Sequence, residues 1–185
     1  MKQYMISGLI FLYSLFISAM ATASEKPISS DVDFKGILVA EPCIVSPGGD
    51  GDNVVVDFGT IAEKTFYSVY GRRTWLQPFH ILLTECDTSL GKEVKITFRG
   101  TEDDEQPGLL AITSSSGVQH VAVGLLTHTG AELPFNKQTQ GYTLTAGNTE
   151  LNFKAYIQAS DEGVKNHSVG RGAFEAISTF ELEYP

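Results

Sequence analysis

The last fourteen residues, 172–185, constrain the fold more than any other stretch. Stepping back by twos from Tyr184 gives Leu182, Phe180, Ser178, Ala176, Phe174 and Gly172, while Glu175, Thr179, Glu181 and Glu183 fall between them. Apolar and small residues on one side and carboxylates on the other, with a period of two, predict a strand with one buried face. No further strand follows it. Whatever covers its free edge is therefore expected from elsewhere in the chain or from another molecule, because a bare apolar edge is a template for aggregation.

The opposite end carries an export signal. Met1-Lys2 precedes an apolar run from Met5 to Met20, and Ala21-Thr22-Ala23 forms a small-x-small cleavage site, so residues 1–23 are expected to be a signal peptide cut after Ala23. The run is short for a bilayer span and no basic stop-transfer cluster follows it. What is left, residues 24–185, is long enough for one domain with a real core and too short for two. The whole chain carries a formal net charge of −9, which disfavours nucleic acid and anionic membrane, since both attract basic patches. Its two cysteines, Cys43 and Cys86, read most simply in an exported chain as one disulfide, worth about 4 kcal/mol by loop-closure entropy. Metal binding is the rival reading, and it lacks a Cys-x-x-Cys or a neighbouring His pair.

Along the chain, alternation is the recurring signal. Residues 24–33 are polar and contain a Pro, as a tail or linker does, yet Ile28, Ser30, Val32 and Phe34 take alternate places. A disordered linker gains nothing from such a pattern, whereas a pairing strand does; the tail reads either as an ordinary first strand or as a strand whose partner lies in another chain. A dense turn signal over 46–53 precedes Val54-Val55-Val56-Asp57-Phe58, and its aspartates lack the spacing and distal Glu of a calcium loop. Residues 59–73 look irregular, with Tyr67, Tyr70, Arg72 and Arg73 as candidate surface contacts. Strand patterns then occupy 75–86 (Phe79, Ile81, Leu83 on one face), 92–99 (Val94, Ile96, Phe98), 109–113, 118–127, 142–145 and 149–159 (Leu151, Phe153, Ala155, Ile157). The acidic run Glu102-Asp103-Asp104-Glu105 sits in a turn and reads as solvated. No window has a convincing helical period. About seven short strands with regular turns and one disulfide predict an all-β, immunoglobulin-like antiparallel β-sandwich.

Catalytic signatures are absent: there is no Gly-x-Ser-x-Gly, His-Glu-x-x-His, P-loop or Gly-x-Gly-x-x-Gly. His80 and His120 lie in strand patterns and read as edge or core residues with a hydrogen bond, and His128 and His167 lie near turns. No catalytic residue, metal ligand or cofactor is expected.

The two termini and the interior share a family pattern. Ser30-Asp31-Val32-Asp33-Phe34-Lys35-Gly36 with Pro42-Cys43, Val94-Lys95-Ile96-Thr97-Phe98-Arg99-Gly100-Thr101-Glu102 with Pro107-Gly108, Val123-Gly124-Leu125-Leu126, and Phe174-Glu175-Ala176 through Thr179-Phe180-Glu181-Leu182-Glu183-Tyr184 resemble the pilins of the chaperone–usher pathway. They are similar in particular to the minor adaptor subunits of the P-pilus tip. The resemblance implies an incomplete immunoglobulin-like domain over 36–185 that lacks its last strand, preceded by a donor-strand extension over 24–35. It implies a groove along Gly172, Phe174, Ala176, Ser178, Phe180, Leu182 and Tyr184. A periplasmic chaperone, and then the extension of a neighbouring pilin subunit, would fill that groove at the outer-membrane usher, which is β-augmentation used to build a polymer. The donor residues carried over are Ile28, Ser30, Val32 and Phe34; family members often have Gly at one donor position, where this chain has Ser30. The implied location is the cell-surface fimbrium, reached through the periplasm, with contact to the membrane only through the usher and no nucleic-acid partner.

Two other readings compete. A tip adhesin or other secreted carbohydrate-binding β-sandwich would use Tyr67, Tyr70, Arg72 and Trp75, but two-domain adhesins need a receptor domain for which this length has no room. A secreted hydrolase lacks motifs.

Overall fold

The computed structural model describes residues 30, 32–46, 53–69 and 71–185. The expected signal peptide and the donor position Ile28 lie outside the described residues, as does Tyr70. The chain divides into two units, Met1–Leu38 and Val39–Pro185. In the first, the described residues form no strand or helix, and Val32 and Phe34 are 71% and 92% exposed.

The second unit is a two-sheet sandwich of nine strands among the described residues: β1 (Ile44–Ser46), β2 (Gln77–Cys86), β3 (Glu93–Arg99), β4 (Leu110–Ala111), β5 (Val121–Thr127), β6 (Glu132–Leu133), β7 (Tyr142–Thr143), β8 (Gly147–Ala159) and β9 (Thr179–Glu183). One sheet has the order β1-β2-β8-β5-β4, with β6 also on β5, and the other the order β7-β3-β9. Every pairing is antiparallel. The predicted sandwich is therefore the fold. Among the described residues helix is confined to a 3-10 turn (Glu63–Tyr67) and α1 (Asp161–Lys165), whose N-cap Ser160 accepts a hydrogen bond from the Gly163 N–H. A single turn is too short to show a helical period in sequence.

The alternation read from the sequence decides which side chains enter the core. Ile81, Leu83, Leu151, Phe153 and Ile157 from the larger sheet and Val94, Ile96 and Phe98 from the smaller are all buried. Phe153 joins the layers, with its ring centroid 5.2 Å from Phe98 in an edge-to-face contact and 5.5 Å from Phe79. Cys86 breaks the rule. Counted from Leu83, strict alternation would aim it outward, but the register shifts between Leu83 and Cys86 and Glu85 takes φ 52°. This bulge turns Cys86 inward, where it forms the disulfide with Cys43.

Outward positions of β5 are buried too, because part of the outer face has its own cover. Tyr156 lies over Gly124, where any Cβ would collide with its ring, and the Arg73 guanidinium stacks 4.5 Å from the centre of that ring. Gln158 donates to Gln106 Oε1 at 2.9 Å while Gln106 donates to the Gln158 carbonyl at 3.2 Å. These amides are buried and fully paired, which makes them structural groups.

Candidate functional site

The final segment does not form one continuous strand as the sequence predicts. Only β9 pairs, along β3 from Lys95↔Glu183 to Arg99↔Thr179. Its partner ends at Arg99, so residues 172–178 run past the end of β3 with no ladder to join. They are held instead by one bridge: Thr113 N–H donates to the Glu175 carbonyl at 2.7 Å, and Glu175 N–H returns a bond to the Thr113 carbonyl at 2.9 Å. Nearby, the Ser114 hydroxyl donates to the Ala173 carbonyl at 2.7 Å. Gly172 has φ 145°, and a Cβ there would strike Ser116, so this tight approach requires glycine.

Five of the seven residues on the predicted face turn toward the core. Phe174, Ala176, Phe180, Leu182 and Tyr184 pack partly buried against the core, while Glu175, Ile177, Thr179, Glu181 and Glu183 are exposed. Gly172 and Ser178 are exposed as well. None of the five apolar residues is fully buried. Phe174, Ala176 and Phe180 line a cavity of about 690 Å³.

This groove has two walls. Residues 172–178 with Phe180 form one, and residues 54–59 form the other; the floor includes Ile81, Phe98, Leu110, Val123, Leu125 and Phe135, all of them core residues. The domain thus presents its own core through a slot. β9 lies at the end of its sheet, paired only with β3 among the described residues, so one row of its backbone donors and acceptors faces the open side. Leu182 and Tyr184 lie beyond the cavity lining. The Tyr184 hydroxyl is buried and without a hydrogen-bond partner among the described residues, and burial, aided by the Glu41 carboxylate, pushes the phenol's pKa up.

The second wall was missed in the sequence reading. Its signal was present, since Val54, Val56 and Phe58 alternate with Val55, Asp57 and Gly59. Val54, Val56 and Phe58 pack against the core and Val55 is 83% exposed. The segment forms no strand.

The candidate contact residues of the irregular stretch are largely engaged within the domain. The Tyr67 hydroxyl donates to Glu63 at 3.3 Å and accepts from the Val169 N–H at 3.2 Å, and the ring stacks on His167. Arg72 pairs with Asp161, and Arg73 bonds both Gln158 and Glu132. Trp75 alone of the described four stands free, 54% exposed. His80 lies on β2, 3.8 Å from Glu150. His120 falls in the turn before β5, not within the strand, and its Nδ1 meets Glu105 at 2.9 Å. No cluster of three metal-ligating side chains occurs among the described residues.

Several carboxyls contribute to the pH response: Arg171 holds Glu63 and Ser89 holds Asp87 below the usual pKa, and two more such groups lie on the loop after β3. The Asn136 amide and the Gly108 N–H hold the Glu102 carboxyl below its usual pKa, and Ser160 and then His120 do the same for Glu105. Asp103, pushed up by burial, opposes them. A depressed folded pKa contributes stability above the unfolded value, about 4.3 for Glu, and that contribution is lost as pH falls through the folded value. The expected result is a thermal midpoint that is flat near neutrality and falls as pH drops from about 5 to about 3. Replacing Glu102 and Glu105 by Gln should flatten that slope, and a wild-type slope in the double variant would refute the assignment.

A family model described as "Fimbrial protein" matches residues 32–185. The chain is 37% identical over 169 residues to the fimbrial adapter PapK of Escherichia coli, covering 89% of this chain and 93% of that one. It is 38% identical over 170 residues to protein PrsK of Escherichia coli, with coverage of 89% and 93%. In fold it is similar to the crystal structure of the P pilus rod subunit PapA, with a TM-score of 0.64 at 22% identity, covering 78% of this chain and 100% of that one.

Proposed function

The chain belongs to the fimbrial protein family, and on that premise we propose that it is an adaptor-type minor subunit of an adhesive fimbria that polymerises by exchanging strands and supports cell adhesion. It is a structural protein and not an enzyme. The observation that carries this reading is the groove of about 690 Å³ whose floor is the hydrophobic core of the domain. A core left open along an unpaired strand edge needs a strand to close it.

In this reading Phe174, Ala176, Phe180, Leu182 and Tyr184 form the acceptor wall, with Gly172 and Ser178 on the same run, and residues 54–59 face them. Ile28, Ser30, Val32 and Phe34 form the donor face that enters the groove of a neighbouring subunit. Residues 24–35 act as the extension and the remainder as the pilin domain. A periplasmic chaperone occupies the groove first, and the outer-membrane usher is where the neighbour's extension replaces it on the way to the cell-surface fimbrium. Three apolar donor residues at roughly 1.5–3 kcal/mol each contribute about 5–9 kcal/mol before ordering costs. Because a donor extension is present, a chain-terminating role does not fit.

The test compares the mature chain alone with the chain co-expressed with a pilus chaperone. Alone it is expected to self-associate or unfold at ordinary temperature; with the chaperone it should purify as a one-to-one complex. A chain lacking residues 24–34 that stays monomeric and unfolds cooperatively well above 37 °C without any added strand would sink the reading. The carbohydrate-binding alternative has less support, since Tyr67, Arg72 and Arg73 are engaged internally.

A further inference from the structure

A second cavity, of about 180 Å³, lies where the loop after β3, the β5–β6 hairpin and Tyr156 of β8 meet. Its lining includes Glu102, Gly124, Glu132, Pro134, Lys137 and Tyr156, and Leu125 is the one residue it shares with the groove. Strand exchange makes no use of it. Its walls are fixed by the fold: the Phe135 N–H donates to the Gly108 carbonyl at 2.9 Å, and Glu102 accepts from the Gly108 N–H at 2.7 Å and from the Asn136 amide at 3.1 Å. A ligand entering here has little to order, which favours binding.

The group that marks this cavity is the Tyr156 hydroxyl. The residue is only 2% exposed, yet its hydroxyl has no hydrogen-bond partner among the described residues, and a buried polar group left unpaired is costly. It sits over Gly124, where a Cβ would overlap the oxygen itself, so glycine on β5 leaves the room that the hydroxyl occupies. The ring is held by the Arg73 guanidinium, 4.5 Å from its centre, and Arg73 is in turn held by Glu132 at 3.0 Å. Burial pushes the phenol's pKa up, Arg73 pulls it back and Glu132 adds to the rise. At neutral pH the hydroxyl therefore keeps its proton and can both donate and accept.

Size and charge narrow the ligand. The volume equals that of about six liquid waters and lies below the roughly 300–1,000 Å³ of sites for drug-sized molecules, so one small ring fits and a chain of rings does not. The charges cancel. Glu132 is paired with Arg73, and Lys137, exposed and without a salt bridge among the described residues, lies close enough to Glu102 to help lower that carboxyl's pKa. Neither an anion nor a cation is favoured by such a lining. It combines hydrogen-bond donors, acceptors and the apolar faces of Pro107, Leu133 and Pro134, which suits a neutral ring with several hydroxyls. We propose that the cavity binds a single neutral sugar ring, with the Tyr156 hydroxyl as its central hydrogen-bond partner and Lys137, Glu102 and Glu132 around it. The ring is either a free monosaccharide or the end of a glycan.

The experiment takes the chain co-purified with a pilus chaperone and titrates it, by saturation-transfer NMR, with D-galactose, D-glucose and D-mannose and with their methyl glycosides. At least one sugar is expected to bind in the millimolar range, the scale for a ligand of about a dozen heavy atoms. Tyr156→Phe keeps the ring and its stacking, so it should weaken that binding about three- to tenfold, the worth of one hydrogen bond, without lowering the thermal midpoint. Lys137→Ala, at an exposed side chain, should weaken it as well. Binding of a methyl glycoside would assign the cavity to the end of a glycan, and binding of the free sugar alone would assign it to a monosaccharide. No binding by any of these sugars, a wild-type affinity in Tyr156→Phe, or a lowered midpoint in that variant would each overturn the inference.

Discussion

Replacing Cys43 and Cys86 together by serine is expected to lower the unfolding free energy by about 4 kcal/mol. The bridge closes a long loop that contains β1, the wall at 54–59 and most of β2, so its removal frees the unfolded chain and loosens one side of the groove. Both cysteines are buried, at 2% and 5% exposure, and the two hydroxyls would enter an apolar site without partners, which adds to the loss. Domains of this size are stable by only about 5–15 kcal/mol, and this one has its core open along a slot. Urea titration of the peptide-filled protein would read the change as a lower midpoint at a similar slope. An unfolding free energy within about 0.5 kcal/mol of wild type would show that the bridge does not hold the domain.

The second large effect separates the two halves of the joint. Val32→Asp with Phe34→Asp in the extension should leave the domain's own melting unchanged, because both side chains are exposed. Donation should fail all the same: losing two of three apolar anchors removes about 3–6 kcal/mol of gross burial, which is at least a hundredfold in affinity. Phe180→Asp is the mirror experiment. Phe180 lines the groove and packs against the core, and a carboxylate there would be desolvated by any inserted strand. That variant should still donate its extension but accept none. Mixing each variant with wild-type subunits and following polymer length resolves the two roles. Wild-type assembly by the extension variant would refute the donor assignment.

Much of the sandwich was legible because it depends on a period-two pattern that survives in one dimension. Val94, Ile96 and Phe98, like Leu151, Phe153 and Ile157, alternate in the sequence and enter the core as read. Phe174, Ala176, Phe180, Leu182 and Tyr184 likewise turn toward the core as their alternation predicts, though Ser178 between them is exposed. The failures have particular causes. The inward turn of Cys86 depends on a bulge at Glu85 that no alternation reveals. The final segment stops pairing at Thr179 because β3 ends at Arg99, a length mismatch between segments about eighty residues apart. Residues 54–59 become a wall only because they lie across the slot from 172–178, and their short alternation after a turn gave no hint of that placement. Tyr67, Arg72 and Arg73 look like free surface groups until the partners supplied by distant segments are known.

By itself the sequence determined the all-β class, the alternating strands of the sandwich and the identity of their core faces. All of these follow from local periodicity and composition, which fix how each segment divides between water and core. Tertiary structure alone decided that the final strand is split, that residues 54–59 form its opposite wall, and that the slot between them opens on Phe98, Leu125 and Phe135. A groove is a relation between segments far apart in the chain, and its shape and depth come into being only when the two sheets pack.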